Sequence, residues 1–189
     1  MEAIIRHRTT HNKQKRIFVK IIPFEKYKIN PNKIVSFDLE TTGFDSICDE
    51  ILQISLIDGN SNVLLNSYVK PYKKTEWKYA ERVHGISPDM VKEAPYLHDI
   101  LPLVRKIFNN AQLLVSYNGS FDIRFLNTVG IDLSFKEHFD VMRYFASYYN
   151  KGKAVKLISC AQYFGYEFKA HDSLEDVKAT LFCFNKIIS

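Results

Sequence analysis

Six carboxylates and one imidazole stand in three short segments of this chain. The first segment is Ser36-Phe37-Asp38-Leu39-Glu40-Thr41-Thr42-Gly43. Side chains alternate faces along a strand, so Asp38 and Glu40 project from one face while Phe37 and Leu39 pack behind them. Two like charges side by side at the end of an apolar strand repel each other. A divalent cation removes that repulsion, and carboxylate oxygens are the ligands Mg²⁺ takes; the competing reading is two solvated acids at a strand end. The second segment is Tyr117-Asn118-Gly119-Ser120-Phe121-Asp122. Asn118-Gly119 makes a turn and Ser120 a helix N-cap, which places Asp122 in a first helical turn, where the helix dipole also favours an acid for stability alone. The third is His171-Asp172-Ser173-Leu174-Glu175-Asp176. Asp172 and Ser173 both suit a cap with an acid three residues on. Asp176 then lies near the helix start and His171 on the loop before it.

The elements that must position these residues alternate along the chain. Ile34–Leu39 reads as a buried strand, and Glu50–Asp58 and Val63–Val69 as a hairpin about Gly59-Asn60. A loop, 71–77, leads to a largely helical stretch over 88–109. Leu113–Ser116 is a short strand, 120–129 a helix stopped by Gly130, and Phe139-Asp140-Val141 a last short strand. Helices are expected over 141–149 and 155–164. The C-terminal segment is the clearest helix, with Leu174, Val177, Leu181, Phe184 and Ile188 on one stripe. Strands and helices in this order predict an α/β domain with a mixed sheet.

Taken together and in this order, the three segments resemble the signature of the DEDDh exonucleases, a 3′→5′ exonuclease family of RNase H-like fold. The resemblance spans Ile34 to the C-terminus. Val83-His84-Gly85-Ile86 is similar to the family's loop between the first two motifs, and Leu157–Phe164 followed by Gly165 to its helix before the third. The DEDDy sister group has tyrosine four residues before the last aspartate; Asp172 stands there, and His171 stands five before. The resemblance implies a mixed five-stranded sheet flanked by helices. It also implies that Asp38, Glu40, Asp122 and Asp176 hold two divalent cations, Mg²⁺ or Mn²⁺. Ions about 3.5–4 Å apart stabilise both the attacking and the leaving oxygen of an in-line displacement. His171 would be the general base, since an imidazole exchanges protons near neutral pH. Thr41, Val83 and His84 would touch the terminal nucleotides. Asn118 is a substrate-binding candidate that would orient the second motif or a phosphate, with a plain turn role an equal reading. Asp140 falls outside the metal set and is read as structural.

Within the family, Leu39-Glu40-Thr41-Thr42-Gly43 is more similar to the proofreading epsilon subunit of bacterial DNA polymerase III than to oligoribonuclease, which carries methionine where Thr41 stands. That favours a single-stranded or frayed DNA 3′ end over RNA, in DNA repair or replication. The chain stops at Ser189 within its last helix, so no tail for gripping a polymerase is expected. Two other readings stay open. One is a 3′→5′ exoribonuclease trimming RNA ends or short oligoribonucleotides. The other is a non-catalytic replication-accessory or nucleic-acid-binding module, which loss of a ligand would have marked; none is lost.

Composition agrees with one globular domain: 189 residues, 46% of them apolar. No run approaches the ~18 apolar residues of a membrane span, and no secretion signal follows the basic N-terminus. Three cysteines, odd in number and far apart, predict free thiols in a reducing, cytoplasmic compartment. Charge is unevenly spread. Residues 1–33 carry nine Lys/Arg against two Glu, a net +7, while the remaining 156 residues carry 17 basic and 19 acidic groups, a net −2. The chain therefore divides into a basic arm, 1–32, in which Ile17–Ile22 reads as an accessory strand, and an exonuclease domain, 33–189. An arm of this charge suits a polyanion, which it would bind by releasing counterions. Removing it is expected to weaken nucleic-acid binding and flatten its salt dependence. Unchanged affinity at every salt concentration would reject that role.

Overall fold

The computed structural model describes residues 29–189, so the arm and its accessory strand lie outside the described residues. Five strands form one sheet in the order β3-β2-β1-β4-β5. They are β1 (Ile34–Thr41), β2 (Ile51–Asp58), β3 (Val63–Tyr68), β4 (Leu113–Ser116) and β5 (Glu137–Asp140). The hairpin strands β1, β2 and β3 pair antiparallel, whereas β1–β4 and β4–β5 pair parallel. The sheet is thus mixed, as the sequence predicts.

Seven helices follow: α1 (Lys78–His84), α2 (Pro88–Val91), α3 (Leu97–Asn110), α4 (Ser120–Thr128), α5 (Val141–Tyr148), α6 (Leu157–Tyr163) and α7 (Ser173–Ile188). One sheet face, with Val35, Phe37, Leu39 and Leu114, packs against Val104 and Phe108 of α3 and Phe125 and Leu126 of α4. The other, with Ile34, Leu113 and Val115, packs against α5, α6 and α7 through Phe145, Cys160, Val177, Leu181 and Phe184. Helices on both faces bury β2 along its whole length, which is why its sequence reads as a nearly continuous apolar run. No helix among the described residues is long and apolar enough to cross a membrane.

Three elements differ from expectation. The stretch expected to be helical over 88–109 is broken at Pro95, whose ring disfavours helix in the residue before it; its carbonyl instead accepts from Lys70 N–H at 2.9 Å. Residues 78–84, with no apolar stripe, form α1 nonetheless. That helix contains no buried residue. Its ends hold it: the buried Trp77 indole N–H donates to Ile86 O at 2.7 Å, and Gly85 closes it at φ 76°, a left-handed angle that glycine adopts without strain. In α7, Ile187 is buried and Ile188 exposed, so the buried arc runs through Ser173, Thr180, Cys183 and Ile187 as well as Val177 and Phe184. Asp176 falls inside that arc, three residues past Ser173 and four before Thr180.

The N-terminal boundary is tied to the body. Pro31 O accepts from Gly59 N–H at 2.9 Å, Asn60 donates to the Asn32 side chain at 2.6 Å, and Ile29 packs on the α7 side of the core. A truncation ending at residue 28 removes the arm's charge without cutting these contacts. Phe37, 1% exposed and edge-on to Phe108 with centroids 5.5 Å apart, anchors β1 from behind. Phe37→Ala is expected to cost about 3–5 kcal/mol, read by denaturant unfolding.

Candidate active site

The acids meet at the C-terminal end of β1. Asp38 and Glu40, partly buried on the α7 face, have carboxylate oxygens within 4.8 Å of each other and of an Asp176 oxygen. Small hydroxyl side chains bring α7 this close. Ser55 Oγ and Ser173 Oγ share a hydrogen bond of 2.5 Å, and Ser36 Oγ donates to Val177 O at 3.3 Å; all three serines are wholly buried. Asp172 caps α7, accepting from the Leu174 and Glu175 amides, so of the two caps the sequence offers, Asp172 fills the role and Ser173 the contact with β2.

Asp122 arrives from the opposite side of β1. Pairing between β1 and β4 ends at Ser36 and Val115, and the Leu39 amide beyond it donates instead to Asp122 Oδ1 at 3.1 Å. Asp122 is 3% exposed and lies in the first turn of α4, as expected. The N-cap, however, is Gly119 and not Ser120, and no side chain caps the helix. A Cβ at Gly119 would meet Ser116 Oγ at 1.9 Å and the His138 ring at 2.8 Å. Ser116 and His138 are themselves bonded at 2.7 Å, so the turn that aims Asp122 lies directly on this pair. Asn118 adopts φ 59°, and its amide donates to Asp140 Oδ1 at 3.2 Å. Asp140 also accepts from the Arg143 amide, which supports its structural reading. It anchors the second motif's turn from β5, a role no local sequence pattern reveals.

His171 takes a left-handed backbone angle of φ 70°, and its amide donates to the Asp176 carboxylate at 3.1 Å. That bond holds the loop carrying the imidazole against the acid cluster. His84, at the end of α1, has an Nδ1 that accepts from the Ile86 amide at 3.0 Å. Its Nε2 therefore carries the proton and donates to Thr41 O at 3.2 Å. Thr41 is buried and its hydroxyl donates to Gly43 O at 2.6 Å. Both residues brace the strand end, while Val83 is exposed on α1 and Asn118 exposed on its turn. Exposed Phe44 packs edge-on to Phe121, centroids 6.2 Å apart, on the α4 flank of the acids.

Electrostatics set the site apart. Burial, followed by the charges of Asp122, Glu40 and Asp176, pushes the Asp38 carboxyl well above the usual carboxylate range. Burial and the Asp176 and Asp122 charges push Glu40 to about 8. Burial pushes Asp122 to about 8 against the opposing effect of the Leu39 amide, and Asp176 to about 6 against that of the His171 amide. These are carboxylates held together against their own repulsion. An all-oxygen donor set of this kind fits hard divalent cations such as Mg²⁺.

The RNase_T exonuclease family model matches residues 35–184. The chain belongs to that exonuclease family. Among curated proteins it is 27% identical over 177 residues to the PolC-type DNA polymerase III of Caldanaerobacter subterraneus, covering 90% of this chain and 12% of that protein. It is 29% identical over 107 residues to the DNA polymerase III epsilon subunit of Buchnera aphidicola, covering 52% of this chain and 45% of that protein. The chain thus spans only a part of the length of these relatives. Among solved structures, the E. coli ExoI–ssDNA complex superimposes with a TM-score of 0.69 at 18% identity, over 79% of this chain and 38% of that one. The five-stranded sheet with flanking helices is therefore this exonuclease fold, and the chain is a DEDDh-type member resembling the epsilon subunit.

A pH dependence follows from the raised carboxyls. Between about pH 4 and about pH 8 the folded chain holds protons at Glu40 and Asp122 that the unfolded chain has released. Stability of the metal-free protein from these groups is therefore full below the ordinary carboxylate range and falls as pH rises to about 8. Saturating Mg²⁺ or Mn²⁺ should reverse the loss, by about 2.7 kcal/mol at a hundredfold excess over Kd. Glu40→Gln should raise the metal-free Tm at pH 8 and shrink the metal-induced gain. A metal-free Tm that climbs across this range, with no effect of metal, would count against the site.

Proposed function

We propose that this chain is a DNA-directed 3′→5′ exonuclease that releases nucleoside 5′-monophosphates from single-stranded or frayed ends. The observation that carries the reading is the meeting of Asp38, Glu40 and Asp176 within 4.8 Å, with Asp122 bonded to the strand between the first two. Four acids on two sides of one strand end suit two divalent cations, Mg²⁺ or Mn²⁺. When bound, these ions would supply the positive charge that offsets the carboxylates and stabilises the attacking and leaving oxygens.

The chain's own residues do the rest. Asp176 fixes the His171 loop through the His171 amide, leaving the imidazole to take a proton from the attacking water. Water oxygen bonds to the terminal phosphorus, the bond from phosphorus to the 3′ oxygen breaks, and that oxygen leaves as a new 3′-hydroxyl once protonated. Thr41 and His84 support the strand end that faces the terminal nucleotide, and Val83 and Asn118 lie exposed near it as further contacts. DNA as substrate is supported by the relatives, which are DNA polymerase III proteins, and by the matching fold solved as an ExoI complex with a dA16 oligonucleotide. The same relatives, named as DNA polymerase III proteins, support a role in DNA replication.

The test is hydrolysis of end-labelled single-stranded DNA and RNA of one sequence, with Mg²⁺, Mn²⁺ or EDTA. DNA shortened from its 3′ end, with metal only, is expected; faster loss of RNA would move the assignment to an exoribonuclease. Asp38→Ala and Asp176→Ala should abolish cleavage yet leave the fold intact, because each removes a repelling charge. His171→Ala should slow cleavage by about 100- to 10,000-fold. Cleavage at the native rate by these variants would sink the assignment of these residues, and no cleavage by the unaltered chain with either metal would leave only a nucleic-acid-binding module.

A further inference from the structure

Helix α1 has one side against the body and one side that no described residue covers. Ala80 and His84 face inward, Ala80 onto the Trp77–Ile86 cluster and His84 onto Thr41 O. Tyr79, Arg82 and Val83, at three- and four-residue spacing, share the outer side. Tyr79 is 84% exposed and Val83 50%. The Arg82 guanidinium lies over the Tyr79 ring, 5.6 Å from its centroid, so one face of the ring is backed by a cation and the other is open.

Charge favours one class of occupant. Residues 70–84 carry five Lys/Arg (Lys70, Lys73, Lys74, Lys78, Arg82) against Glu76 and Glu81, inside a body that is otherwise acidic. Position favours it too. Tyr79 lies five residues before His84, about 7.5 Å along the helix axis, and His84 bonds the strand end next to Glu40. That is the length of about two stacked nucleotides at 3.4 Å each. A ring face for a base beside a guanidinium for a phosphate is the combination that holds single strands without reading their sequence.

We infer that the outer side of α1 grips the single-stranded segment upstream of the scissile bond, with a base stacked on the open face of Tyr79 and a phosphate paired with Arg82. This rests on the exonuclease reading of the acid cluster and adds a second, non-catalytic contact to it. The contact would keep the strand in place between successive cleavages.

The experiment compares two substrates on the full chain with Mn²⁺: a 20-nucleotide oligo(dT), and the p-nitrophenyl ester of thymidine 5′-monophosphate, too short to extend from the acid cluster to Tyr79. Tyr79→Ala is expected to raise KM for the oligonucleotide about 5- to 150-fold, the range for losing one stacked base, with ester hydrolysis retained and Tyr79→Phe restoring the oligonucleotide KM. Arg82→Ala should lower the slope of log affinity against log salt by about 0.7, one phosphate contact on a single strand. Unchanged oligonucleotide KM and salt slope, with the ester still hydrolysed, would overturn the inference alone and leave this face to a protein partner. Loss of ester hydrolysis in both variants would overturn it as well, showing that α1 only supports the acid site. No hydrolysis of either substrate by the unaltered chain would instead bring down the exonuclease reading and the inference with it.

Discussion

The site depends on how closely α7 approaches the β1–β2 ladder. Asp176 reaches Asp38 and Glu40 only because the residues between helix and sheet are small: Ser36 and Ser55 on the strands, Ser173 on the helix. A buried hydroxyl without a partner would be costly. Here each has one, Ser55 with Ser173 and Ser36 with the Val177 carbonyl, and no buried side-chain nitrogen or oxygen among the described residues lacks a partner. The approach is driven by Val177, Leu181, Phe184 and Ile187, buried against β1, β4, α5 and α6. Each contributes about 1.5–3 kcal/mol by leaving water. That burial is what holds three carboxylates together against their repulsion, and it leaves the site primed for positive charge.

A second constraint acts from the opposite face. Strand β1 runs five residues past the end of its pairing with β4, and the Leu39 amide exposed there is taken by Asp122. The acid is thus structural and electrostatic at once: it completes a strand hydrogen bond while adding its charge to that of Asp38 and Glu40. The turn that aims it rests on Ser116, His138 and Asp140, residues of β4 and β5. The short parallel strands, β4 wholly buried in the sheet, also carry this turn.

Charge is segregated to match. Acids occupy the end of β1 and the start of α4 and α7, while cations gather in the segment from Lys70 to Arg82 and, in sequence, in the arm. A polyanionic strand would be repelled at the acid cluster until the cations of bound metal reverse its sign, and attracted at the flanks throughout. Cysteines show a different kind of convergence. Cys160 and Cys183 lie on separate helices, wholly buried and free, yet their thiols act on each other. That contact holds Cys160 below the usual thiol range and pushes Cys183 up.

The sequence by itself, through the resemblance of three ordered motifs, singled out the acids and the histidine, and the structure brings Asp38, Glu40 and Asp176 together with Asp122 beside them. It also determined the strands and most helices, because alternating and three-to-four-residue apolar patterns are local signals of burial. It did not reveal α1, whose seven residues bury nothing and are held by Trp77 and Gly85 at the ends. Nor did it place Asp176 on the buried side of α7, since the apolar stripe Leu174–Ile188 marks only one edge of an arc completed by Ser173, Thr180 and Cys183. Gly119 as the cap of α4 and Asp140 as its anchor were equally hidden, for their reasons lie across the sheet in Ser116, His138 and the Asn118 amide. Only the tertiary structure decided how near the carboxylates stand and how far their protons are held. Distance and burial are set by side chains that meet from opposite ends of the chain, and no local pattern records them.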